Sequence, residues 1–143
     1  MSRLSRCRNI DVGDVSPADY ERFTSALRAD VDGVQVDFDD GHCPSWSNNI
    51  RGYRNINKFV TGELGQSLRS SPVLMLRPRA WNMTERNVLV EGKASPAPLV
   101  DFGILVWQNA NQMNCAGAGP FFYLRADRRK WFLINVFCYW SIY

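Results

Sequence analysis

Apolar positions along the chain fall into short blocks whose period switches between helical and extended. After Ser16-Pro17-Ala18-Asp19, the residues Tyr20, Phe23, Leu27 and Val31 recur at helical spacing. Ser16 suits an N-cap, Pro17 the first helical position, and Asp19 the positive end of the helix dipole. Asp32-Gly33 ends this helix, and Val34-Gln35-Val36-Asp37-Phe38 then alternates strictly between apolar and polar. That period predicts a strand with two chemically different faces. Pro44-Ser45 opens a second helical pattern, with Trp46, Ile50 and Tyr53 on one side, before the polar residues 55–58.

Residues 61–71, rich in Gly and Ser, read as a connecting loop. The next block, Val73-Leu74-Met75-Leu76, is wholly apolar and ends abruptly in Arg77-Pro78-Arg79. This is the signature of a buried strand that delivers cations to its end. Pro78 has no N–H for a ladder and holds Arg77 extended, so the strand stops there. Residues 85–97 predict a short excursion with a turn at Glu91-Gly92. From Leu99 the spacing is helical again, with Phe102, Val106, Ala110 and Met113 on one side and Gly117 as the stop. Phe121-Phe122-Tyr123-Leu124 is a further short strand.

Strand, helix, strand, excursion, helix, strand is the order of parallel βα units, so the expected class is α/β. An eight-stranded barrel takes roughly 250 residues. These units therefore describe a piece of a (β/α)8 TIM barrel or a small open sheet. With 143 residues, the chain is one domain or part of a larger one, and its 45% hydrophobic content supplies a core. A net charge of +3, spread along the chain, does not call for nucleic acid or an anionic membrane. Cys7, Cys43, Cys115 and Cys138 lack the spacing of a zinc site or redox motif and read as four reduced thiols. Arg3, Arg6 and Arg8 have no apolar core behind them, so no secretory signal is read there. No apolar run reaches the roughly 18 residues of a membrane helix. The aromatic residues 131–143 come nearest, and read either as the cover of a strand edge or as sequence without evolved structure.

The blocks resemble a known family. Val36-Asp37-Phe38-Asp39-Asp40 with Pro44-Ser45-Trp46-Ser47-Asn48 resembles the malate synthase segment in which Asp-Phe-Glu-Asp precedes Pro-Thr-Trp. Gly52-Tyr53-Arg54-Asn55-Ile56 looks like its continuation, Gly-Gln-x-Asn-Leu. Leu76-Arg77-Pro78-Arg79-Ala80-Trp81 with Glu85-Arg86-Asn87-Val88 is similar to the family's Arg-Pro-Arg-Gly-Trp-His-Leu-x-Glu-x-His-Val. Leu99-Val100-Asp101-Phe102-Gly103, Asn109-Ala110 and the run Gly117-Ala118-Gly119-Pro120-Phe121-Phe122-Tyr123-Leu124 complete the match. The expected organisation is an N-terminal segment 1–15, a malate synthase-like partial TIM barrel 16–124, and a divergent tail 125–143 in a truncated chain.

The resemblance implies an acyltransferase of the glyoxylate cycle, which joins acetyl-CoA to glyoxylate with Mg2+ and hydrolyses the thioester to malate and CoA. It implies a peroxisomal, glyoxysomal or cytoplasmic location. Arg77 matches the family's active-site arginine, a fixed guanidinium suited to the enolate and aldehyde oxygens. The alternative for Arg77 is an ion pair with Asp37, Asp39 and Asp40. Those carboxylates are of the kind Mg2+ prefers and are read as outer support near the metal or as solvated loop acids. The family's catalytic aspartate and direct metal ligands lie in later segments, which predicts no turnover from this chain alone. The rival expectation is a non-catalytic protein that associates with itself or a longer relative through exposed apolar faces. Arg79 and Trp81 read as packing residues or as aids to anionic substrate. His42, the one histidine, reads as a loop residue, Cys43 as a weak nucleophile, and the aromatics Trp107, Phe121, Phe122 and Tyr123 as core.

Overall fold

A computed structural model describes residues 10–124. Its elements are β1 (Asp11–Val15), α1 (Tyr20–Arg28), β2 (Gly33–Asp37), α2 (Trp46–Val60), β3 (Val73–Arg77), β4 (Thr84–Val90), β5 (Lys93–Pro96), α3 (Ala97–Cys115) and β6 (Phe121–Phe122). Four strands form one parallel sheet in the order β1-β2-β3-β6, while β4 and β5 make a separate antiparallel hairpin. This is an open α/β sheet built like the opening units of a TIM barrel, as expected, and among the described residues it does not close.

Parity along β2 and β3 sorts their side chains onto two faces. Val34, Val36, Leu74 and Leu76 point to the helices, where they join Phe23, Leu27, Ile56 and Phe59 in the core. The other face carries Gly33, Gln35 and Asp37 opposite Val73, Met75 and Arg77. Gln35 and Met75 are only half-buried, yet Asp37 and Arg77 at the carboxyl end are buried. The alternation in β2 thus records not a solvent face but the inner face of a parallel sheet, where polar groups gather at one end.

Several local expectations are corrected. Helix α1 is capped by Asp19, whose side chain accepts the Arg22 N–H at 3.1 Å, and Ser16 lies outside the helix. Ser45 does cap α2, but that helix runs on through the polar stretch to Val60, because Asn49 and Asn55 face inward. In α3 the buried seam is Asp101, Leu105, Asn109 and Met113, so of the predicted face Phe102, Val106, Ala110 and Met113 only Met113 lies on it. Two polar residues in the seam conceal it from an apolar count. Glu91 and Gly92 adopt φ of 51° and 77°, the left-handed pair that a two-residue hairpin turn requires. Strand β1 lies inside what reads as an N-terminal segment. Its register with β2 shifts between Val12 and Val15, and Asp14 takes a φ of 52°. Such a bulge re-aims a side chain and hides the strand's period. Cys7, Cys138, the N-terminal arginines 3, 6 and 8, and the tail 125–143 lie outside the described residues.

Candidate functional site

The carboxyl ends of parallel strands are where α/β folds assemble chemistry, and here they bring together Asp14 of β1, Asp37 of β2, Arg77 of β3 and Tyr123 after β6. Asp37 and Arg77 are register partners. Arg77 Nη1 donates to Asp37 Oδ2 at 2.9 Å and lies 3.6 Å from Asp14 Oδ1. Its Nη2 donates to Asp39 Oδ2 at 2.9 Å and to Asp40 Oδ2 at 2.5 Å. The guanidinium carbon lies 5.7 Å from the centre of the Tyr123 ring, within cation–π range. Arg77 Nε is buried and makes no hydrogen bond.

Four carboxylates on one cation set the electrostatics. Burial lowers the affinity of Arg77 for its proton, but Asp40, Asp37 and Asp39 outweigh it and hold the group above its ordinary value. For Asp37 burial prevails: its pKa is raised, although the N–H groups of Asp39 and Gly41 and the charge of Arg77 oppose the shift. The loop is drawn tight around this carboxylate, which accepts the Asp39 N–H at 2.6 Å and the Gly41 N–H at 3.1 Å. The three predicted acids therefore do converge, on the guanidinium. Both oxygens of Asp37 and the Oδ2 atoms of Asp39 and Asp40 are engaged by Arg77 or by backbone N–H groups. Among the described residues no group of three or more His, Cys, Asp or Glu is placed to hold a metal ion.

Arg79 is buried in a second ion-pair cluster. Its Nε and Nη2 donate to Asp101 at 2.7 to 3.1 Å, its backbone N–H donates to Asp101 Oδ2 at 2.8 Å, and Nη1 donates to Glu85 Oε2 at 2.8 Å. Tyr53 donates its hydroxyl to the same Asp101. Burial, then the charge of Asp101, raises the Tyr53 pKa, so the phenol stays protonated. This buried network ties β3 to α2, α3 and the hairpin. Trp81 is half exposed and belongs to neither cluster.

His42 lies in the loop between β2 and α2 and is buried there. Ser16 Oγ is 2.8 Å from its Nδ1, and Asn49 Oδ1 is 3.0 Å from its Nε2. Burial lowers its pKa. Cys43 and Cys115 are exposed free thiols. Tyr123 and Trp107 are not core: they are 48% and 90% exposed. Asp14 and the Ser16-His42-Asn49 group have no local sequence signature, because a bulge re-aims Asp14 and Ser16 lies 26 residues from His42.

The family model for the malate synthase TIM barrel domain matches residues 73–139, which reaches past Leu124 into the residues read as divergent. The chain is 34% identical over 117 residues to malate synthase of Myxococcus xanthus. It is 31% identical over 120 residues to glyoxysomal malate synthase of Candida tropicalis and 31% over 121 residues to malate synthase of Arabidopsis thaliana. Each alignment takes in 76% of this chain and 22% of the relative, so the chain spans about a fifth of the length of these curated relatives.

Proposed function

The chain belongs to the malate synthase family, and on that premise we propose that it carries the arginine side of a malate synthase active site. The single observation that supports this is Arg77 at the carboxyl end of β3, held by Asp37, Asp39 and Asp40 with Nε left without a partner. In the reaction proposed, acetyl-CoA loses a methyl proton to a base outside the described residues. The enolate carbon attacks the aldehyde carbon of glyoxylate, and water then releases CoA from the malyl thioester. Oxyanion charge develops twice, on the enolate and on the former aldehyde oxygen. A guanidinium fixed by carboxylates supplies donors there without reorganising during the reaction. It acts as a charge and donor, never as the base, because arginine keeps its proton. Mg2+ enters this proposal as the family's cofactor, held by groups outside residues 10–124. The substrates are acetyl-CoA and glyoxylate, the process is the glyoxylate cycle, and the location is the peroxisome, glyoxysome or cytoplasm.

The 143-residue chain by itself is proposed to have no turnover. A coupled CoA-release assay with acetyl-CoA, glyoxylate and Mg2+ tests this: release at background level is the expected result, and robust release would overturn it. A second reading, a non-catalytic interaction protein, draws support from α3. That helix is apolar on several sides and leaves Leu99 at 54% and Trp107 at 90% exposure. No helix among the described residues is long and apolar enough to cross a membrane.

A further inference from the structure

Ser16 follows β1, His42 lies in the loop after β2, and both therefore stand at the carboxyl edge of the sheet. Their pairing is directional. Asn49 Nδ2 lies 3.4 Å from Glu85 Oε2 and donates to it, which turns Asn49 Oδ1 toward His42 at 3.0 Å. An amide oxygen only accepts, so His42 Nε2 carries the proton and Nδ1 offers its lone pair. Ser16 Oγ, 2.8 Å away, then donates its hydroxyl proton to Nδ1. A hydroxyl, a base within hydrogen-bond reach and a third group orienting the base are the parts of an activated nucleophile. The Phe38 ring, 5.4 Å from the imidazole centre, closes another side. His42 is buried while Ser16 is half-buried, so the reactive oxygen is the more accessible of the two.

We propose that Ser16 is a nucleophile for acyl groups, with His42 as its base and Asn49 as the residue that positions the base. In acyl transfer from an ester or thioester, a bond forms from Ser16 Oγ to the acyl carbon. The carbon–oxygen or carbon–sulfur bond to the leaving group breaks. The hydroxyl proton moves to His42 Nδ1 and from there to the departing alkoxide or thiolate. Pro17 has no N–H, so the amide after the nucleophile, a common oxyanion donor, is missing. Acylation and release are both slow without that donor, so the site favours strongly activated acyl groups. None of this depends on Arg77, so the two readings fail or stand separately.

The test uses a fluorophosphonate probe on the full chain, because it reacts with activated serines and spares the exposed thiols of Cys43 and Cys115. Peptide mapping is expected to place the adduct on Ser16: the Oγ–P bond forms, the P–F bond breaks, and fluoride leaves. Ser16→Ala abolishes labelling, and His42→Gln slows it by roughly a hundredfold or more. The wild-type labelling rate rises with pH through one ionisation below the ordinary histidine value of 6.5. Asp101, Arg79 and Asp37 are the charged groups acting on that ionisation. The profile needs no variant, so it decides the matter even if His42→Gln does not fold. No labelling, an adduct elsewhere, or a rate indifferent to His42 and to pH would each overturn the proposal.

Discussion

Asp37 and Arg77 oppose one another in the parallel register of β2 and β3, and their side chains meet at 2.9 Å on the inner face of the sheet. The strand partners are thus also the charge partners. Removing the cation leaves Asp37 buried beside Asp39, Asp40 and Asp14 with nothing to neutralise it. Arg77→Ala is expected to lower stability by about 3–5 kcal/mol, the cost of breaking a buried pair from one side. Urea midpoints measure it. Asp37→Asn in the Arg77→Ala background is expected to recover part of the loss.

The second cluster predicts coupling. Tyr53→Phe removes one hydrogen bond to Asp101, and Asp101→Asn removes the charge that holds Arg79. Residues in one buried network fail to add by about 0.5–3 kcal/mol. A double-mutant cycle by chemical denaturation is expected to show coupling in that range, and simple additivity would contradict the network.

His42 makes folding pH-dependent with a definite sign. Burial lowers its folded pKa below the ordinary 6.5, so between those values the unfolded chain binds more protons. Its contribution is fully present above pH 6.5 and declines as pH falls through the folded value. Denaturation curves between neutral and mildly acidic pH are expected to show wild type losing stability on acidification more steeply than His42→Gln.

Gly41 is required by proximity. A Cβ there would lie 2.4 Å from the backbone oxygen of Asp14, and backbone cannot turn aside as a side chain can. Gly41→Ala is expected to cost about 1–3 kcal/mol, as overpacking does. Thermal unfolding checks it.

Trp107 tests the interaction reading. Trp107→Glu is expected to leave stability within about 0.5 kcal/mol, as for most surface changes. If the apolar side of α3 joins two copies, gel filtration of the wild type shows a concentration-dependent larger species that this variant loses.

What the sequence discloses follows from which physical signal was strong. Val73–Arg77 is legible because a strand buried on both faces reads as a continuous apolar run, and Pro78 marks its end. The Glu91-Gly92 turn is legible because few residue pairs accept two positive φ values. The α3 seam is not, since Asp101 and Asn109 occupy it for the sake of hydrogen bonds, which carry no hydropathy signal. At the site, Arg77 and the Asp37, Asp39 and Asp40 group were visible as a strand end rich in charge. Charge at a strand end does not by itself decide whether Arg77 pairs with those carboxylates, and Asp14, Ser16 and Tyr123 join the site only through folded distances.

The sheet order has a consequence for synthesis. Each strand of β1-β2-β3-β6 pairs with the strand that entered the sheet before it, and the intervening hairpin pairs with itself. The sheet therefore extends along one edge in the order in which a ribosome releases the chain. Every emerging strand finds its template already formed, so assembly can keep pace with translation, which proceeds at about 5–20 residues per second. Among the described residues, β6 is the last strand to join that edge.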